Sequence, residues 1–245
     1  MPDAHARAIL LDIEGTTTPV EFVYEVLFPF ARRHVGEFLR RHSSSEGVRA
    51  DLSALKVEHR ADADKGHEPP PWREDSADSE AESATRYAHW LMDQDRKSTA
   101  LKSLQGKIWE GGYQSGSLRG QVYPDVLPAF GRWRRQRRAI YIFSSGSVLA
   151  QKLLFAHTTE GDLTGHISGY FDTATGAKTD AASYQSIGAK IGSPANEILF
   201  VSDVTAELDA AREAGMSTAL CVRPGSPEPE SPAHTTVHTF DVIFP

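Results

Sequence analysis

The chain has 245 residues, 40% hydrophobic and 24% charged, the balance of a globular protein with room for one large domain or a core with an appendage. Its formal net charge of −7 argues against nucleic acid or an anionic membrane as the main partner. No apolar run approaches the roughly eighteen residues of a membrane span or forms a secretory leader, and the single Cys221 excludes an internal disulfide and suits a reducing cytoplasm.

The first element is the apolar run Ala8-Ile9-Leu10-Leu11, read as a buried parallel strand. It ends on Asp12, passes Ile13, and places Glu14 at the start of a Gly15-Thr16-Thr17-Thr18 loop, whose hydroxyls and amides are available to an anion. Residues 21–41 carry Phe22, Val26, Leu27, Phe30, Val35, Phe38 and Leu39 at helical spacing, with Pro29 expected to kink or divide the helix. Residues 43–83 are polar, with Glu68-Pro69-Pro70-Pro71 and an acidic run. They read as loop in part, with a short helix over 48–57. Helical spacing returns over 84–104 through Tyr87, Trp90, Leu91 and Leu101.

From Tyr123 onward strands and helices alternate. Helices are predicted over 125–138, 148–157, 181–191 and 206–214, and strands over 139–143, 198–201 and 218–222. A looser segment reaches Tyr170-Phe171-Asp172, a proline-rich loop covers 223–233, and 239–244 is read as an edge strand. The basic run from Arg132 to Arg138 reads as a solvated helix face. The alternation predicts an α/β fold, a doubly wound parallel sheet built from 1–18 and 122–245, with 19–121 as an inserted helical module.

Three strands end on polar groups: Asp12 and Glu14, Ser144 and Ser145, Ser202 and Asp203. Strand ends on one side of a parallel sheet converge on one crevice, so the repetition outweighs any single motif. The Ser144-Ser145-Gly146-Ser147 turn leads into a helix, which suits either an anion cradle or plain helix capping. A hard cation such as Mg²⁺ fits between Asp12 and Asp203. Glu207, four residues on, is either a further carboxylate of the site or a favourable charge at a helix start. The ten histidines include one H-x-x-x-H pair, His234 and His238, with no completing ligand, so no zinc role is assigned.

These strand ends, with Leu104-Gln105-Gly106-Lys107-Ile108-Trp109-Glu110-Gly111-Gly112-Tyr113, Val122-Tyr123-Pro124-Asp125-Val126, Gln151-Lys152-Leu153-Leu154-Phe155, Gly169-Tyr170-Phe171-Asp172 and Lys178, make the chain resemble the haloacid-dehalogenase superfamily. Within it the D-x-E-G-T-T form resembles the enolase-phosphatase family of methionine salvage. The resemblance implies an Mg²⁺-dependent hydrolase, one ion per chain, that enolises 2,3-diketo-5-methylthiopentyl 1-phosphate and removes its phosphate to give the acireductone. Asp12 would be the nucleophile and Glu14 the acid and base. Ser144, Ser145 and Lys178 would bind phosphate, and Asp12, the main-chain carbonyl of Glu14, and Asp203 would hold the metal. The module 19–121 would be a cap that covers the site, with Trp109 and Tyr113 expected to pack inside it. The enolisation base is Glu14 or a cap residue, and the partner is a small phosphorylated diketone met by a cytoplasmic monomer. The alternative is a related phosphatase acting on another small phosphomonoester without enolisation. A signalling receiver shares an acceptor Asp, a hydroxyl and a lysine, but is shorter and carries that Asp on a later strand.

Overall fold

The computed structural model describes residues 5–96, 98–227 and 233–245. Part of the proline-rich loop, 228–232, and Lys97 inside the helical pattern over 84–104 lie outside the described residues. The chain divides into two units, one of Met1–Val23 with Arg119–Pro245, the other Tyr24–Leu118.

The first unit is built on a six-stranded sheet. Its strands are β1 (Ala8–Leu11), β2 (Ala139–Phe143), β3 (Gly169–Phe171), β4 (Ile198–Ser202), β5 (Ser217–Cys221) and β6 (Thr235–Val237). The spatial order is β3-β2-β1-β4-β5-β6, and every pairing is parallel. The chain thus winds outward from β1 in one direction, then reverses through β4. The switch point lies between these two strands, where open α/β sheets bind ligands. Both central strands are covered on both faces, and Ile9, Leu10, Leu11, Leu199, Phe200 and Val201 are fully buried. At about 1.5–3 kcal/mol per large apolar side chain, this pair of strands anchors the unit. On one face Leu10, Phe143 and Phe200 meet Tyr184, Ile187 and Leu208.

In the second unit a π-helical turn (Phe22–Leu27), begun in the first unit, leads into α1 (Phe28–His42). Pro29 takes the first turn of α1, where a missing amide costs nothing, and so divides the segment as expected. α2 (Glu46–Asp64), α3 (Ala77–Asp93) and α4 (Thr99–Gln114) complete the unit. α2 corrects the short helix expected over 48–57, because it runs for 19 residues. Its buried stripe is Val48, Asp51, Leu52, Leu55, His59 and Asp62, at helical spacing but half polar. Each polar member has a partner: Asp51 pairs with Lys107, the ring of His59 meets the carbonyl of Pro70, and Asp62 accepts from Tyr87 and Arg96. Apolar periodicity therefore hides this helix. The single helix over 84–104 is likewise two, broken between α3 and α4, with Ser76 and Ser98 capping their starts. Trp109 and Tyr113 are buried in this unit, Trp109 donating to the carbonyl of Leu27.

The remaining helices of the first unit are α5 (Val126–Arg135), α6 (Val148–Ala156), α7 (Ala181–Ile191) and α8 (Thr205–Glu213). The edge strand expected over 239–244 is displaced: β6 takes the edge, and Phe240–Val242 is a 3₁₀ turn. The cause lies on α5, whose Arg132 donates to the carbonyls of Phe240, Ile243 and Phe244 while the Trp133 indole takes that of Ile243. The basic run is thus only partly a solvated face.

Candidate active site

Leu11, the last residue of β1, pairs with Ile142 of β2 and Val201 of β4, so Asp12 leaves the sheet at its centre. Its amide donates to the carbonyl of Val201 at 3.0 Å. Asp12 is 2% exposed, so its carboxylate depends on fixed donors rather than bulk water. Oδ1 accepts from the Ile13 amide at 2.7 Å and from Lys178 Nζ at 2.5 Å, and Oδ2 accepts from Ser202 Oγ at 3.3 Å.

The loop after Asp12 closes on itself. The amides of Thr16, Thr17 and Thr18 all donate to the carbonyl of Ile13, and Thr17 Oγ1 donates to the carbonyls of Asp12 and Ile13. All three threonines are fully buried. Their amides and the Thr17 hydroxyl brace the loop and are not free for an anion, whereas the hydroxyls of Thr16 and Thr18 are buried without a hydrogen-bond partner. Gly15 adopts φ +67°, and a Cβ there would lie 2.7 Å from Cγ of Asp203. Only a glycine lets the carboxyl at the end of β4 lie against the loop that carries Glu14.

Lys178 reaches the same point from the loop before α7. Its ammonium bridges Asp12 Oδ1 and Glu207 Oε2, the latter at 2.7 Å, with 9% of the side chain exposed. The Tyr184 hydroxyl donates to the carbonyl of Lys178 at 2.6 Å and so fixes the lysine's backbone. Burial alone would lower the Lys178 ammonium, but Asp12 and Glu207 hold it above its usual value. Glu207 also accepts from Ser202 Oγ at 3.0 Å, so it faces this cluster while lying in the first turn of α8, and both of its readings hold. Ser144, at the end of β2, is buried and accepts from the Gly146 amide, while Ser145 is exposed. The Val148 amide at the start of α6 is taken by Asp172. Two of the turn's amides thus have protein partners already.

Four carboxylates, Asp12, Glu14, Asp203 and Glu207, gather around the ammonium of Lys178. Burial, then the charge of Asp12, pushes Asp203 up to about 6 and raises Glu14 and Glu207 from the ordinary carboxylate range. Such an excess of buried negative charge calls for a cation. Among the described residues no three His, Cys, Asp or Glu side chains form a ready-made metal cage. An oxygen-only set of two carboxylates and a backbone carbonyl, the rest water, is the kind that suits Mg²⁺.

Residues 6–215 match the family model of haloacid dehalogenase-like hydrolases. Along nearly its whole length the chain is 54% identical to enolase-phosphatase E1 of Synechococcus elongatus, over 96% of each chain. It is 48% identical to enolase-phosphatase E1 of Cronobacter sakazakii, over 98% of this chain and 97% of that one. The chain belongs to the enolase-phosphatase E1 family of haloacid dehalogenase-like hydrolases. Among solved structures, UTR4 protein of Saccharomyces cerevisiae is similar at a TM-score of 0.78 and 34% identity, covering 97% of this chain and 99% of that one. Glu207 was legible in the sequence either as a further carboxylate of the site or as a charge at a helix start. Arg223, in what read as a plain loop, is 4% exposed and donates through Nε and Nη2 to the carbonyl of Thr16.

Proposed function

We propose that the chain enolises 2,3-diketo-5-methylthiopentyl 1-phosphate and then hydrolyses the enol phosphate, releasing 1,2-dihydroxy-3-keto-5-methylthiopentene and phosphate in methionine salvage. The observation that carries this reading is the buried Asp12 carboxylate at the switch point, held on Oδ1 by Lys178 and the Ile13 amide with Glu14 on the same loop. Asp12 attacks phosphorus, and the bond to the enol oxygen breaks as the aspartyl-phosphate forms. Glu14 protonates that leaving oxygen and then takes a proton from the water that hydrolyses the acyl phosphate, regenerating Asp12. Its carboxyl, raised by burial and by Asp12, is suited to hold the proton first. Ser144 and Ser145 bind phosphate oxygens, and Lys178 offsets the repulsion between the attacking carboxylate and the phosphate.

One Mg²⁺ per chain fits the donor set of Asp12, the main-chain carbonyl of Glu14, and Asp203. When bound it supplies charge that screens the reacting anions and polarises the dicarbonyl. The proton removed in enolisation goes to Glu14 or to a residue of the helical unit, which takes the part of a cap in this reading. The protein acts in the cytoplasm as a monomer; the buried, unpaired Cys221 suits that compartment.

Purified protein with the diketo phosphate tests the reading. Acireductone and phosphate are expected in equal amounts, both lost with EDTA and restored by Mg²⁺. Phosphate without acireductone, or faster turnover of simple sugar phosphates, would replace this reading with that of a phosphatase lacking enolisation.

A further inference from the structure

The loop 12–18 carries both Asp12 and Glu14, and a single side chain from the far end of β5 grips it. Arg223 donates to the carbonyl of Thr16 through Nε at 2.9 Å and Nη2 at 2.6 Å. Nη1 donates to Oδ2 of Asp125 at 2.7 Å, just before α5. That same oxygen accepts from the Phe240 amide at 2.6 Å and Thr239 Oγ1 at 3.1 Å. The guanidinium plane lies between two rings, 4.2 Å from the centroid of Tyr123 and 4.4 Å from that of Phe240. Tyr123 in turn donates its amide to the carbonyl of Thr17.

Burying a guanidinium is costly unless its charge and donors are satisfied, and a simple core ion pair is often no more stable than apolar packing. Here two of its donors converge on one backbone carbonyl of the loop that bears Asp12 and Glu14. The three amides of that loop, Thr16, Thr17 and Thr18, all point to the carbonyl of Ile13 instead. The turn is therefore closed from within on its Ile13 side and from without on its Thr16 side. The rigid planar fork matters, because a lysine could supply the charge but not two bonds converging on one oxygen from a fixed plane.

We propose that Arg223, anchored by Asp125 and held between Tyr123 and Phe240, is a positioning residue that clamps the carbonyl of Thr16 and thereby fixes Asp12 and Glu14 for phosphoryl transfer. The catalytic part of this inference rests on the function proposed above, and the clamp itself does not. Arg223 touches neither reacting atom nor phosphate; it acts through the backbone. A misplacement of about 1 Å in a reacting group costs on the order of 100-fold in rate, so loosening the loop should appear in kcat before KM.

The test compares Arg223→Lys with the wild type by three readouts. Hydrogen exchange of the peptide covering 12–18 is expected to speed by at least ~10-fold, with β4 and α7 unchanged. With the diketo phosphate, kcat is expected to fall ~100-fold and KM to stay within about twofold. Thermal denaturation reports whether the variant is folded. A folded Arg223→Lys protein with wild-type loop protection overturns the clamp. Faster loop exchange with wild-type kcat overturns its catalytic role. If the wild type does not turn over the diketo phosphate, the functional reading fails, and loop exchange still decides the clamp. Should Arg223→Lys not fold, Asp125→Asn takes its place, since it keeps the guanidinium and removes only its charged anchor. Faster exchange at 12–18 with lowered kcat then supports the proposal, and wild-type values in both refute it.

Discussion

Gly15→Ala separates the role of the Glu14 loop from the stability of the sheet. At φ +67° an alanine occupies the left-handed region, at about 1–2 kcal/mol. Its new Cβ would lie 2.7 Å from Cγ of Asp203, against an ordinary separation of about 3.5–4.0 Å, so the carboxyl must retreat by roughly 1 Å. Nothing in the cores of β1 and β4 has to move with it, because Ile9, Leu10 and Val201 lie deeper in the sheet. The strain therefore corresponds to a fall in Tm of about 2–8 °C, at ~2–4 °C per kcal/mol for a protein of this size.

Function should suffer far more than stability. If Asp203 holds the metal as proposed, a displacement of about 1 Å at its carboxylate is worth on the order of 100-fold in kcat and should also raise the Mg²⁺ concentration needed for half-maximal rate. The assay is phosphate release across a Mg²⁺ titration, with calorimetry on the same preparation. A folded Gly15→Ala protein with wild-type kcat and wild-type Mg²⁺ dependence would show that Asp203 does not work at this position.

Asp12→Asn removes the proposed nucleophile while leaving an oxygen for the Ile13 amide, so turnover should fall by at least ~10³-fold; readily measured phosphate release by a folded variant would remove that assignment. Glu14→Gln keeps attack possible but slows hydrolysis of the acyl phosphate by ~10²–10⁴-fold, and rapid quenching should trap phosphorylated protein; an unchanged steady-state rate with no trapped intermediate argues against the acid–base role. In the helical unit, burial opposes the Asp62 charge, but the Tyr87 hydroxyl and the Arg96 guanidinium hold its carboxyl below the usual range. A lowered folded-state pKa contributes stability that is present above the unfolded value near 4 and is lost as pH falls through the folded value. Asp62→Asn should therefore destabilise by about 1–3 kcal/mol at pH 7, and its deficit should shrink in acid. A deficit that does not change between pH 7 and pH 3 would mean that ionisation of Asp62 contributes nothing.

The strand 8–11, and the alternation of strands and helices from Tyr123 onward, were legible because parallel strands buried on both faces read as unbroken apolar blocks. The strand ends were legible for the same reason, since a carboxylate or serine pair closing such a block stands out in composition. Where the reading missed, the packing used polar groups. α2 buries Asp51, His59 and Asp62 beside Val48, Leu52 and Leu55, so its stripe carries too few apolar residues to register as periodic. Residues 239–244 looked like a β-branched and aromatic edge strand, yet Arg132 and Trp133 claim the carbonyls a ladder would need.

The contacts to backbone carbonyls share a physical reason for escaping the sequence. A partnership between two side chains leaves two residue types in the sequence, and Asp12 with Lys178, or Lys178 with Glu207, can be sought as opposite charges near strand ends. A partnership with a backbone carbonyl leaves only one, because every residue has a carbonyl. Arg223 on Thr16, Arg132 on Phe240, Trp133 on Ile243, Trp109 on Leu27 and His59 on Pro70 are all of this second kind. They fix loops, termini and turns rather than chemistry, so composition reads them as surface cations or core aromatics. The proposed reacting groups of this chain are therefore written in its residue types, whereas the framework around them is written in backbone geometry. Arg223 belongs to that framework: its sequence position in a proline-rich loop said nothing of Asp12, and its two bonds to the carbonyl of Thr16 tie it to the loop that carries Asp12 and Glu14.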